Sequence, residues 1–97
     1  MKNSELKWER DAERGSEPFI EYRLMRDGQC IAMIEAEWMT VRVGPMMTGR
    51  QVDRVSGWSA TVCDPGMNFD VGTFAVSATR NQAAALAAAK AAVLEQI

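Results

Sequence analysis

The alternation of apolar and polar positions is clearest on either side of Asp27-Gly28. Phe19–Arg26 and Gln29–Glu35 flank this dipeptide, which suits a type I′ hairpin turn because both central residues of that turn take positive φ. Regular pairing across the turn sets Leu24 opposite Ile31 and Tyr22 opposite Met33. One face then carries Ile20, Tyr22, Leu24, Ile31 and Met33. The other carries Phe19, Glu21, Arg23, Met25, Cys30, Ala32 and Ile34, a mixed set. A single apolar face predicts a sheet covered on one side and half wet on the other.

Alternation returns at Trp38–Val43, with Met39, Val41 and Val43 set against Trp38, Thr40 and Arg42. This is a further strand or an extension of the previous one, and Gly44-Pro45 ends it because proline cannot donate to a ladder. Residues 44–51 read as a loop. Gly57–Cys63 alternates again, with Trp58, Ala60 and Val62 on one side. Asp64-Pro65-Gly66 has the composition of a turn, and Met67–Val76 reads as the last strand. Gly72 in the middle of that strand predicts a bulge or bend.

The remainder divides into a helix and an arm. Thr79 and Gln82 are spaced as a capping box, and eight of the ten residues from Ala83 to Ala92 are alanine, the best intrinsic helix former. Leu86, Val93 and Ile97 share one stripe, with Ala83 and Ala89 at its edges and Lys90 snorkelling from it. Small side chains on such a helix let its backbone approach a sheet closely. Residues 1–17 hold nine charges of mixed sign. A short edge strand around Leu6–Arg10 competes there with a helical turn from Ser4, and Leu6, Trp8 and Ala12 do not line one helical face. The expectation is a mobile or lightly docked arm, or an edge strand, anchored by Trp8. The whole chain, 1–97, is then one α+β domain: a charged arm (1–17), an antiparallel sheet of three to five strands (18–76), and a single C-terminal helix (79–97) covering one face.

Composition removes more functions than it supports. The 97 residues carry 11 Lys+Arg, 13 Asp+Glu and no histidine, for a net charge of −2. Without histidine the chain lacks the commonest zinc ligand and the commonest acid/base group near neutral pH. Neither a Ser-His-Asp nor a Cys-His pair can be built, and the glycine-rich phosphate loops are absent. Glu35 and Glu37 share a strand face, as paired acid/base carboxylates would, and equally as a solvated face would. Asp64 and Asp70 flank a turn without the spacing of a calcium loop. No catalytic residue, metal site or cofactor is expected. Cys30 and Cys63 stand alone and read as buried small apolar residues of a reducing cytosol, with a disulfide as the alternative because spacing alone does not exclude contact. The longest polarity-free run, Ala83–Ala89, is too short for a membrane span, so a cytoplasmic protein is expected.

Binding is the class that remains. Arg42, Arg50 and Arg54, opposed only by Asp53, make 39–55 net positive while 1–21 is net negative. Met46 and Met47 sit beside Pro45 in the same stretch, where no alternation buries them, and flexible thioethers suit an adaptable protein interface. These five residues, Arg42, Met46, Met47, Arg50 and Arg54, are the candidate partner-binding set. The three arginines also suit a nucleic-acid contact, and an exposed edge strand, the N-terminal one or Trp38–Val43, suits a homodimer as well as a monomer.

Two resemblances bear on this. Gly72-Thr73-Phe74, followed by Ala78-Thr79-Arg80-Asn81-Gln82 opening an alanine-rich helix, resembles the last strand and helix of double-stranded-RNA-binding domains. Only Arg80 stands where that family carries its phosphate-gripping lysine cluster. Gly57-Trp58-Ser59-Ala60-Thr61-Val62, then Gly72-Thr73-Phe74 and a terminal helix, resembles small phage and prophage proteins, anti-CRISPR inhibitors among them. That resemblance implies a non-enzymatic protein that occludes a host protein complex. A nucleic-acid-binding module and a structural or accessory subunit are the alternatives.

Overall fold

Strands form wherever the alternation places them, and all five join one antiparallel sheet in the order β1-β2-β3-β4-β5. They are β1 (Leu6–Ala12), β2 (Ile20–Arg26), β3 (Gln29–Val43), β4 (Arg50–Val62) and β5 (Phe69–Ala75), followed by α1 (Gln82–Glu95). The structure, a computed structural model, describes residues 5–12, 19–45, 49–64, 66 and 68–97. The helix packs on β4 and β5, with a smaller contact to β3. The architecture is therefore α+β, an antiparallel sheet covered on one face by a single C-terminal helix.

Asp27 (φ 53°) and Gly28 (φ 79°) both take the left-handed conformation that the β2–β3 turn requires. The register beyond the turn differs from regular pairing. Met25 lies opposite Cys30, but Leu24 lies opposite Ala32 and Tyr22 opposite Ile34, with Ile31 bulged between. A bulge sets two residues against one, so Ile31 and Ala32 both reach the covered side. Ile31, Ala32 and Ile34 are all fully buried beside Leu24. Met33 moves to the open face opposite Arg23, exchanging roles with Ile34. The core gains a branched aliphatic side chain in place of a flexible thioether.

The core is built from that face of β2–β4 and from the helix. Leu24, Ile34, Trp58, Ala60 and Val62 are buried, together with Ala85, Ala89 and Val93 of α1. The inward stripe is thus Ala85-Ala89-Val93 at a spacing of four, and the expected Leu86-Val93-Ile97 stripe is corrected. Leu86 packs at its edge, and Ile97 is 39% exposed. Alanine at two of the three inward positions brings the helix close enough for the Trp58 indole N–H to donate to the Gln82 carbonyl at 3.2 Å. The helix cap is Asn81, whose side-chain oxygen accepts from the Ala84 N–H at 2.8 Å, so the Thr79–Gln82 box does not form. Ser77 closes a turn ahead of the helix by accepting from the Thr79 and Arg80 N–H groups, and this leaves Asn81 as the first residue free to cap.

Within the N-terminal segment, Leu6–Ala12 is an edge strand, with all seven positions of β1 paired to β2. Trp8 packs against the core, and Lys90 reaches across from α1 to place its ammonium 5.3 Å from the Trp8 ring and 4.5 Å from the Tyr22 ring. This cation–π contact bridges the helix to the β1–β2 side of the sheet. At the other edge, Ala60 faces Gly72 while Thr61 faces Asp70, which leaves Val71 bulged; Gly72, at φ 136°, is the residue that lets the strand turn there. The expected 67–76 strand is accordingly trimmed to Phe69–Ala75, and Pro65 and Met67 of the preceding turn lie outside the described residues.

Candidate functional site

β3 and β4 are about twice as long as their neighbours, and the excess is all at one end. Pairing with β2 stops at Glu35, and pairing with β5 stops at Gly57. Past those points six further pairs continue, from Trp38↔Val55 to Val43↔Arg50. At about 3.3 Å per residue this two-stranded ribbon projects about 20 Å from the sheet. It explains the dimensions of the molecule, 63 × 31 × 20 Å with a radius of gyration of 16.0 Å, against about 12–13 Å for a compact chain of this length.

The ribbon corrects the expected loop. Residues 50–51 belong to β4, which begins seven positions before the predicted start at Gly57. Arg50 and Arg54 are therefore strand residues, and only 44–49 connect the two strands. Met46 and Met47 fall outside the described residues. The connection is framed by Gly44 at φ 95° and by Gly49, where a Cβ would stand 2.8 Å from the Val43 carbonyl oxygen and 2.9 Å from that of Pro45.

An isolated two-stranded hairpin is only marginally stable in water, so its own polar contacts matter. The Thr40 hydroxyl donates to Asp53 at 3.0 Å, the Arg42 guanidinium donates to the Gly49 carbonyl at 3.1 Å, and the Ser56 hydroxyl donates to the Glu37 carbonyl at 3.2 Å. At the root Val55 is buried and Trp38 packs against the core. A cleft of about 570 Å³ opens there between the ribbon and the start of α1, walled by Ile20, Trp38, Val55, Val76 and Ser77.

Facing pairs share a side of the sheet, so the register sorts the candidate residues. Val43↔Arg50, Val41↔Val52 and Met39↔Arg54 form one face, and Trp38↔Val55, Thr40↔Asp53 and Arg42↔Gln51 form the other. Arg50 and Arg54 thus come together on one side, about 13 Å apart along the strand, around a strip of Met39, Val41, Val43 and Val52. Arg42 stands on the opposite side and is engaged in bracing the turn. All three arginines are exposed, and Met39 is 48% exposed. Met39 was missed as a contact residue because its alternation with Trp38 and Thr40 looked like ordinary burial. Met39 lies on the face away from the helix, at a point where no third strand flanks the pair.

Among the described residues no group of three or more Cys, Asp or Glu is placed to hold a metal ion, and no charged or polar side chain is buried in the core. No helix among them is long and apolar enough to cross a membrane. Glu35 and Glu37 do share the open face, and both are exposed. Comparison with protein-family models, with curated proteins and with solved structures finds no match to this chain.

Proposed function

We propose that this chain is a non-enzymatic binding protein that contacts a partner protein through the β3–β4 ribbon, with Arg50, Arg54 and Met39 on the contact face and Arg42 holding the turn. The supporting observation is the ribbon itself: five strand pairs, Met39↔Arg54 to Val43↔Arg50, carried beyond the core, with one face apolar and edged by two arginines. Burial of the core does not require them, and mixed apolar and arginine surface is the composition that protein interfaces favour. The narrower reading, an inhibitor that occludes a host protein complex in the cytoplasm, as in the small phage proteins it resembles, belongs to the same proposal. Met46 and Met47, which lie outside the described residues, belong to the proposed contact on their sequence alone.

The test is affinity capture from the native host with three baits. Wild type and a Lys7→Glu control on the far edge strand are expected to retain the same partner. Arg50→Glu combined with Arg54→Glu is expected to lose it at least about tenfold, with unchanged circular dichroism. Equal capture by all three baits overturns the assignment. Nucleic acid is the competing occupant, because a two-stranded ribbon fits a major groove; a gel shift that weakens steeply with salt and vanishes in the double variant identifies it instead.

A further inference from the structure

The two cysteines, 33 positions apart in sequence, meet at the end of the β3–β4 pairing opposite the ribbon. The Cys63 N–H donates to the Ile31 carbonyl at 2.8 Å, continuing the ladder one residue past Val62. The Cys63 thiol donates to the Cys30 carbonyl at 3.7 Å, and the Cys30 thiol to the Ala32 carbonyl at 3.4 Å. Cys30 faces Met25 and so points to the open side of the sheet, away from the helix. The Ile31 bulge turns the β3 backbone here, and the Cys63 thiol lies against the Cys30 backbone. Both are free and both are half-buried, neither sealed in the core nor fully exposed.

We propose that Cys30 and Cys63 form a dithiol site that closes to an intramolecular disulfide by exchange with a low-molecular-weight disulfide. In the first step one cysteine thiolate attacks the small disulfide, forming a mixed disulfide and releasing one equivalent of the small thiol. In the second, the neighbouring cysteine gives up its proton and attacks the protein-side sulfur, closing the Cys30–Cys63 bond and releasing the second equivalent. The two protein thiols are oxidised, and the small disulfide is reduced to two thiols. The second step is intramolecular, so proximity makes it faster than the arrival of a second small molecule. Burial, together with Cys30 and Asp64 nearby, raises the Cys63 thiol above its ordinary range, so its thiolate, the attacking species, forms only at alkaline pH. Closure ties the two longest strands together at the root of the sheet and constrains the unfolded chain between them.

The experiment incubates the full reduced chain with excess oxidised glutathione at mildly alkaline pH and reads intact mass, free thiol and thermal midpoint. Expected is a monomer lighter by two hydrogens, with no titratable thiol and a raised midpoint that dithiothreitol returns to its starting value. Cys30→Ser and Cys63→Ser are each expected to stop at a glutathione adduct. Stable glutathione adducts on the wild type, disulfide-linked dimers at micromolar concentration, or thiols left unreacted would each overturn the proposal.

Discussion

Replacing Trp58 by phenylalanine isolates the contact on which the docking of the helix rests. Trp58 is 1% exposed, lies opposite Ala36 and Phe74, and meets the Tyr22 ring edge-on at 5.7 Å. Phenylalanine keeps an aromatic ring for that pairing but removes the indole N–H that reaches Gln82. The hydrogen bond contributes about 1 kcal/mol net. The Gln82 carbonyl also lies within the first turn of the helix, so it is not left wholly unpaired. The smaller ring leaves a void beneath Ala85 and Ala89 that costs a further ~1–2 kcal/mol, since alanines have no side chain with which to fill it. The sum, about 2–3 kcal/mol, lowers Tm by about 8–24 °C in a domain of this size. Urea unfolding followed by far-ultraviolet circular dichroism measures it, with the slope m unchanged. Trp38→Phe, at the half-buried ribbon root, serves as the control and costs about 1 kcal/mol or less. A Trp58→Phe loss below about 0.5 kcal/mol, or a Trp38→Phe loss that exceeds it, would refute this account of the core.

Three further substitutions test separate contacts. Asn81→Ala removes the cap of α1 and costs about 1 kcal/mol in chemical denaturation, whereas Thr79→Ala costs less than ~0.5; the reverse order would restore the Thr79 box. Lys90→Met keeps the aliphatic stem but loses the ammonium over Trp8 and Tyr22, lowering stability by about 0.5–1 kcal/mol, while Lys90→Arg retains most of it. Cys63 has its acidity weakened relative to the ordinary thiol value of 9.0, by burial first and then by Cys30 and Asp64. Because the folded state holds that proton more tightly, its contribution is fully present below pH 9.0 and is lost as pH rises through the higher folded value. Reduced wild type is therefore expected to lose stability as pH rises above 9.0 more steeply than Cys63→Ser. Parallel thermal curves for the two proteins would contradict that.

How far the fold was legible follows from how much contrast each segment carries. Asp27-Gly28 is decisive because a turn with two positive φ values admits few other residues. The register beside it was not legible, because Cys30-Ile31-Ala32-Met33-Ile34 is apolar throughout and offers no polar position to mark the outer face. In such a run a bulge costs nothing visible in the pattern. The helix was clear from its alanines, but the same alanines flatten its periodicity. The sequence pattern then favoured the large side chains Leu86 and Ile97, and the close packing selected Ala85 and Ala89. Thr79 and Asn81 are both good caps, and what decided between them was Ser77, through bonds that exist only once the turn has folded. The candidate site was half legible. Its residues stand out by composition, but Arg50-Gln51 reads as the end of a loop and 52–56 as no element, because a strand largely in water has little face to bury.

That lack of a buried face raises the question of why the ribbon's charges are there. Unpaired strand edges invite pairing with other chains, and proteins commonly guard them with charge. Arg42, Arg50 and Arg54, with Glu37 and Asp53 among them, would serve as such guards whether or not a partner exists. Guarding depends on the presence of charge, whereas recognition depends on its sign. Arg50→Glu with Arg54→Glu keeps two charges on the edge and reverses both, so a purely protective role predicts a monomer unchanged in solubility and in partner capture. A recognition role predicts the same monomer with the partner lost. Arg50→Val with Arg54→Val removes the guard and lengthens the apolar strip around Met39, Val41, Val43 and Val52; concentration-dependent self-association is expected, read by sedimentation velocity. The two double variants therefore separate a surface that merely avoids contact from one built to make it. Arg50 and Arg54 share one face with Val41 and Val52 between them and Met39 opposite Arg54, while Arg42 is turned to the other face, so the first double variant reverses charge on a single surface.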